Sequence, residues 1–476
     1  MTSTSGLAGR PAHVLSGAIA RREISCVEVV TAHLDRIDEM EPTHHALVSR
    51  RPRADVLAEA KERDAELSRG ERRGWLHGLP HAVKDLSDVE GLPTTSGFFA
   101  LDQAPVATAD SLFVERLRAA GTVFVGKTNT PEFGLGSHTY NQIAPTTRNA
   151  LDPSRTAGGS SGGASVAVAL GMLPVADGSD FMGSLRNPPG WNGVLGLRPT
   201  FGRIPDFEGD LFTVGGGVAG PIARNVTDLA LLLATMSGPS RRVPLSISED
   251  PATLLDQLQD TPHRLRIGWL ADLAGYLPME AGILSTCEQR LRDFAGIGAV
   301  VEQVVLPSTP GFESLEQLWP TWVTYRQSQV GAGLSQLLDD PVLGPRLKPE
   351  AVWEINGFRA LTPSDVAAMV RGRHGLYESC RHLFADFDML ALPTAQVFPF
   401  DADLTWPKEI TGTPMTTYHR WMEVTAPATL AGLPALALPA GLGPSGLPIG
   451  LQLIGPPRSE GLLLRAARAL EKLTTG

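Results

Sequence analysis

The sequence predicts an α/β fold, a mixed β-sheet core covered by helices on both faces. Three observations carry that prediction. Amphipathic helical stretches alternate with short β-branched or aromatic runs as far as about residue 240. Hydrophobic residues make up 42% of the 476 residues and charged ones 19%, which suffices for a large core. Neither an internal repeat nor a low-complexity tract interrupts the pattern.

Taken in order, Ser25 and Glu28 have capping-box spacing, and Val27, Val30, Leu34 and Ile37 then recur at helical intervals. Residues 52–70 read as a more exposed helix closed by Gly70. Residues 77–88 hold an apolar core of Leu79, Ala82 and Val83, consistent with a short strand that delivers Lys84 to its end. Asp110 is the expected N-cap of a helix through Ala120, closed by Gly121, and residues 122–125 follow as a strand. Residues 164–172 are apolar enough for a buried helix. Residues 239–262 are polar and proline-containing, a surface connection. Strands are predicted over 264–271, 300–306 and 388–393, with a helical stretch over about 311–386 between the last two.

One stretch, residues 155–188, stands out. It opens with Gly158-Gly159-Ser160-Ser161-Gly162-Gly163, runs through the apolar helix, and closes on a second turn, Gly183-Ser184-Leu185-Arg186. Glycine serves where backbone needs positive φ or close approach, so two serines on glycine-rich backbone suggest a paired-hydroxyl site. Upstream lie Gly78-Leu79-Pro80-His81-Ala82-Val83-Lys84-Asp85 and Gly126-Lys127-Thr128-Asn129-Thr130-Pro131-Glu132-Phe133-Gly134. Downstream lie Gly193-Val194-Leu195-Gly196-Leu197-Arg198-Pro199-Thr200, Ala431-Gly432-Leu433-Pro434-Ala435 and Gly446-Leu447-Pro448-Ile449-Gly450. In this order and spacing the motifs resemble those of the amidase signature family of serine hydrolases. The resemblance runs from the first helix to about residue 470. It implies the amidase signature fold as one domain over residues 1–476, with the signature core at about 78–240. The helices of 311–386 are expected to cap the site.

The same resemblance implies a catalytic set: Lys84 as base, Ser160 as a bridging serine preceded by a cis peptide, and Ser184 as nucleophile. Ser161 falls beside the bridge. Phe181, Met182, Gly183 and Ser184 match the family's oxyanion loop, whose backbone N–H groups face the developing negative charge. The sequence departs from the family at Phe181 and Met182, where smaller residues are common. Two bulky apolar side chains there hint at a hydrophobic substrate, and Met182 must keep an ordinary φ. Asp180 and Arg186 are expected to pair and brace the loop. A serine hydroxyl attacks only once a base takes its proton, and a lysine serves as that base only when neutral, which burial promotes.

Other patterns in the chain lack the surroundings they need. Gly121 to Thr128 spells G-x-x-x-x-G-K-T, yet the four intervening residues are themselves a strand, and Pro131 follows where a helix should begin. Residues 158–162 spell G-x-S-x-G, but Asp152-Pro153 and the polar residues around them supply no strand for a nucleophile elbow of an α/β-hydrolase-type esterase. His374, His382 and His419 would be that elbow's candidate histidines. No metal-ligand spacing is present, and His44-His45 are read as a turn. No cofactor is expected.

The implied reaction is hydrolysis of the C–N bond of amides, with aryl esters and carbamates as further substrates. The small-molecule amide or carbamate is the expected partner, and a homo-oligomer is compatible with the chain. Within the family the rival is the glutaminase subunit of a tRNA-dependent amidotransferase, for which Arg371 and Arg373 are candidate carboxylate binders. From another class, the rival is a non-catalytic member, against which the intact Lys84, Ser160 and Ser184 speak. Tyr140, Trp191, Trp421 and the 311–386 helices are candidate pocket walls. The net charge of −10 leaves no electrostatic footprint for nucleic acid. Cys26, Cys287 and Cys380 are scattered, the N-terminus lacks a signal-peptide pattern, and no apolar run is long enough for a membrane span. A cytoplasmic location is the expectation.

Overall fold

In chain order the strands are β1 (Leu47–Val48), β2 (Pro80–Lys84), β3 (Val123–Thr128), β4 (Val175–Asp180), β5 (Leu195–Arg198), β6 (Val218–Ala223), β7 (Arg266–Trp269), β8 (Val300–Gln303), β9 (Met389–Pro393), β10 (Glu409–Ile410), β11 (Thr413–Pro414), β12 (Ala435–Leu442) and β13 (Pro448–Ile454). The structure is a computed structural model that describes residues 6–206, 211–258, 260 and 264–475. Eight strands form one mixed sheet in the order β4-β6-β5-β12-β13-β9-β7-β8. Pairing is antiparallel from β4 to β9 and parallel across β9, β7 and β8. Helices lie on both faces, among them Asn187–Asn192 against β12 and β13, and Val226–Met236 against β6. The expected α/β architecture is therefore present.

A smaller sheet, β1-β3-β2, carries the Lys84 end of the molecule. Strand β2 runs parallel to β3, with Lys84 opposite Thr128, and all five of its residues are buried. That explains the compact apolar run before Lys84: a strand buried on both faces has no polar alternation.

Most predicted elements are in place. Ser25 caps the helix Cys26–His44 with a full capping box, and the 52–70 helix spans Arg53–Ser68. Other expectations shift. The helix Leu112–Ala119 has Ser111, not Asp110, at its N-cap position, and no side chain caps it; the Asp110 carboxylate instead accepts the Glu90 N–H at 2.7 Å and pairs with Arg118. The buried helix begins earlier than predicted, spanning Gly162–Ala169. His44 ends a helix that contains Pro42, so the two histidines lie at a helix terminus, not in an acidic turn. The 239–262 connection includes a short helix, Ala252–Gln257, while residues 259, 261 and 262 lie outside the described residues.

Between β8 and β9 the chain is mainly helical, with Leu318–Arg326, Ala332–Asp339, Pro349–Ala360 and Pro363–Leu383. No helix among the described residues is long and apolar enough to cross a membrane. The three cysteines are free and buried.

Candidate active site

Three backbone segments converge at the end of β2. Lys84 is the last residue of that strand, Ser160 and Ser161 immediately precede the helix Gly162–Ala169, and Ser184 follows β4 after a tight turn. The Lys84 Nζ lies 2.7 Å from the Ser160 Oγ, and the Ser160 Oγ lies 3.0 Å from the Ser184 Oγ. A continuous row of hydrogen-bonding atoms thus links amine to outer hydroxyl. The peptide between Gly159 and Ser160 is cis, as the family resemblance implies.

Lys84 is only 1% exposed and, among the described residues, no carboxylate stands at hydrogen-bond distance from its Nζ. Its remaining partners are the hydroxyls of Ser161 at 3.0 Å and Ser179 at 2.9 Å. Burial pulls its pKa down to about 7, against the opposing pull of Asp177 and Asp180. A lysine in this setting exchanges protons near neutrality.

The turn that carries Ser184 is fixed by a buried ion pair. Arg186 donates from Nε and Nη2 to the two Asp180 oxygens, both at 2.9 Å. Burial alone would raise the Asp180 pKa, but Arg186 and Arg198 hold it well below the usual carboxylate range. Asp180 also accepts the N–H of Gly183 at 2.9 Å and that of Leu185 at 3.1 Å. Arg186 reaches on to the Thr425 carbonyl and the Gln452 amide oxygen, tying the turn to β13. The predicted Asp180–Arg186 contact is therefore real and part of a larger lattice. Gly183 has φ of +85° and its missing Cβ would stand 2.8 Å from Thr425, so a side chain fits neither the backbone nor the space. Met182 keeps negative φ, as expected of a residue with a side chain.

The Gly183 N–H is thus engaged. The N–H groups of Phe181, Met182 and Ser184 make no hydrogen bond among the described residues.

The Amidase family model matches residues 28–464, nearly the whole chain. The chain belongs to the amidase signature family. Like the family it is an amide-hydrolysing enzyme. It is 33% identical to an acylamidase of Rhodococcus erythropolis, over 96% of this chain and 94% of that one. It is also 34% identical to a glutamyl-tRNA(Gln) amidotransferase subunit of Thermus thermophilus, over 97% of each chain. Among solved structures it resembles a bacterial aryl acylamidase of the amidase signature family, with a TM-score of 0.88 and 26% identity over 98% of this chain and 96% of that one.

In this family member a cavity of about 130 Å³ adjoins Ser160 and Ser184. Leu86, Phe133, Leu135, Met182 and Val330 give it apolar walls, and Arg326 and His419 add polar ones. A larger cavity of about 850 Å³ includes Tyr140, Trp353, Trp406 and Tyr418. Several expected wall residues lie elsewhere. Trp191 and Trp421 are fully buried and stack on each other at 5.7 Å between ring centroids, so they belong to the core. Tyr140 belongs to the larger cavity and hydrogen-bonds Glu350 at 2.5 Å. Arg373 lies over the Tyr325 ring and donates to the Leu430 carbonyl, while Arg371 is exposed; neither lines the Ser184 cavity. His374 and His382 are exposed, and no strand precedes Gly158, so no elbow forms. Lys127 lies within β3 and donates to the Ser87 carbonyl, which removes the phosphate-loop reading.

Sequence reasoning missed Asp177 and Ser179. Asp177 accepts the Lys84 N–H at 3.1 Å and pairs with His81 at 2.9 Å, holding the strand end that carries the lysine. The two residues stand two apart on β4, and the period-two rule of a strand places them on one face. Arg326 was missed too; it sits far along the chain in a helix whose spacing gives no hint of the cavity.

Proposed function

We propose that this enzyme hydrolyses carboxamides through an acyl-enzyme on Ser184, with Lys84 as base and Ser160 as the bridge between them. The supporting observation is the row Lys84–Ser160–Ser184, at 2.7 and 3.0 Å, ending on a buried amine whose pKa sits at about 7. In the reactive state the neutral Lys84 amine accepts the Ser160 proton while the Ser160 oxygen accepts that of Ser184. A hydroxyl donates once and accepts twice, so Ser160 can do both. The Ser184 oxygen then bonds to the amide carbon and the carbonyl electrons move to its oxygen. Phe181, Met182 and Ser184 offer the backbone N–H groups that receive this charge; Gly183, whose N–H serves Asp180, holds the turn instead. The proton on Lys84 returns through Ser160 to the leaving nitrogen, the C–N bond breaks, and water repeats the cycle on the ester. Ser161 and Ser179 orient the amine, and Asp180 with Arg186 fixes the loop.

Aryl esters and carbamates fit the same sequence of steps. The acylamidase and aryl acylamidase relatives favour N-acyl amines as the substrate class. The glutaminase reading, prompted by the amidotransferase relatives, needs a cation for the glutamine carboxylate. Arg326 is the one arginine or lysine on the Ser184 cavity among the described residues; Glu354 and Tyr418 engage its Nε and Nη2, which leaves only its Nη1 for a carboxylate.

The purified chain, without ATP, added metal or other subunits, is therefore expected to hydrolyse a simple aryl amide. Assay against aryl amides, aliphatic amides, aryl esters, carbamates and glutamine tests this. Activity on glutamine alone, and only once partner proteins have been added, would overturn it.

A further inference from the structure

Arg326 ends the helix Leu318–Arg326 and lines the Ser184 cavity. Its guanidinium carbon lies 5.5 Å from the centre of the Phe181 ring, on the loop that carries Ser184. The chain then widens into a π-helical turn, Gln327–Gly331, whose Val330 lines the same cavity. Single π turns within helices are frequent at functional sites.

The protein holds this guanidinium by part of its donor set. Nε donates to a Glu354 oxygen at 2.5 Å, Nη2 donates to the Tyr418 hydroxyl at 2.9 Å, and that hydroxyl donates to the same Glu354 oxygen at 2.5 Å. The residue is 4% exposed and stays charged, so a positive group is fixed in place at the cavity wall. Its Nη1 carries two more N–H groups. That nitrogen has no partner among the described residues and is not wholly enclosed. In the free enzyme solvent in the cavity can pair it. A substrate that displaces this solvent must offer an acceptor in its place or leave a charged donor unpaired, at a loss of affinity. The other polar side chains of the wall do not alter that requirement. Ser160, Ser179 and Ser184 are linked to Lys84 directly or through one another, Asp180 is held by Arg186, and both His419 nitrogens are enclosed. Ser137, also without a partner among the described residues, can donate or accept and does not decide the class. An ammonium group only donates, so it cannot pair with Nη1.

We propose that Arg326 is a specificity-determining residue whose Nη1 binds a second oxygen of the substrate, a carbonyl or carboxylate oxygen apart from the scissile carbonyl. This rests on Ser184 being the reacting serine. The enzyme then favours amides that carry such an acceptor over isosteres that end in an alkyl or ammonium group.

The test uses the full chain and 4-nitroanilides whose acyl chains, matched in length, end in isopropyl, methyl ketone, carboxylate or ammonium, with a parallel series that carries the same groups on the amine side through a methylene. In at least one series the ketone or the carboxylate congener is expected to exceed the isopropyl one about tenfold or more in kcat/KM, chiefly through KM, with the ammonium slowest. Whichever acceptor is faster identifies the charge of the oxygen bound. Arg326→Lys keeps a counter-charge for Glu354 but has no second nitrogen for the cavity, and it should bring the acceptor-to-isopropyl ratio to within about twofold. If the lysine form does not fold, the double variant Arg326→Met with Glu354→Leu, which removes both charges together, is expected to have the same effect. A wild-type ratio near one in both series, or a ratio unchanged in the variants, in protein whose Ser184 still reacts with a fluorophosphonate, overturns the role of Arg326 alone. Failure of wild-type Ser184 to react overturns the reading of the site and this proposal with it.

Discussion

At the scale of single residues, the proposed chemistry depends on one buried amine. In that mechanism the Lys84 free base is the reactive form, so kcat/KM for an amide is expected to rise with pH through about 7 and then level off. An apparent value measured this way belongs to the coupled lysine and serines together. Lys84→Ala should cost about 10²–10⁴-fold, the usual share of a positioned acid–base group. Lys84→Arg should be nearly as inactive, since a guanidinium stays protonated at any usable pH. Aryl esters, whose leaving groups need no proton, should suffer less in both variants. Steady-state rates on a paired anilide and phenyl ester check this, and an arginine variant within about tenfold of wild type on the anilide contradicts it. Lys84, Ser160 and Ser184 were legible in the sequence because each sits in a short motif with its own glycines. Asp177, Ser179 and Arg326 were not, because what they do depends on which element packs beside them.

At the scale of elements, the turn between β4 and the helix Asn187–Asn192 converts a buried ion pair into a fixed serine. Asp180 is shared by Arg186, Arg198 and two backbone N–H groups. Asp180→Asn keeps the shape but leaves two buried guanidiniums without a counter-charge. Breaking one side of such a pair typically costs about 3–5 kcal/mol. A clear fall in the denaturant midpoint is expected, together with slower reaction of Ser184 with a fluorophosphonate at temperatures where the variant is folded. An unchanged midpoint would mean the lattice contributes no stability. The Asp180–Arg186 pair was foreseeable from their short spacing around the Ser184 turn. The ties to Thr425 and Gln452 were not, since they join residues more than 200 positions apart. Strands β4, β6, β12 and β13 were likewise hard to read from sequence. Ala, Gly or Pro interrupts each of them, and their burial on both faces over most of their length erases the alternation that marks a half-exposed strand. The Asp110 cap failed for a related reason: a carboxylate next to a helix start can serve a neighbouring loop, and the choice is made by tertiary packing.

At the scale of the whole molecule, the fold brings residues from distant parts of the chain, Leu86 to His419, onto one small cavity. Strands β2 and β4 carry the lysine and the serine turn, while the 318–331 stretch and His419 close the opposite side. That division was half visible in advance. The family motifs marked the reacting side, but the helical stretch carried no motif, and its cavity residues emerge only from packing. The account stands or falls on which hydroxyl attacks. Treating the full-length enzyme with a fluorophosphonate and mapping the adduct across all its peptides by mass spectrometry decides that directly. The predicted result is one adduct, on Ser184, formed in step with loss of amide hydrolysis and formed far more slowly in Lys84→Ala. An adduct on Ser160 or Ser161, or complete inactivation with Ser184 unmodified, would contradict it.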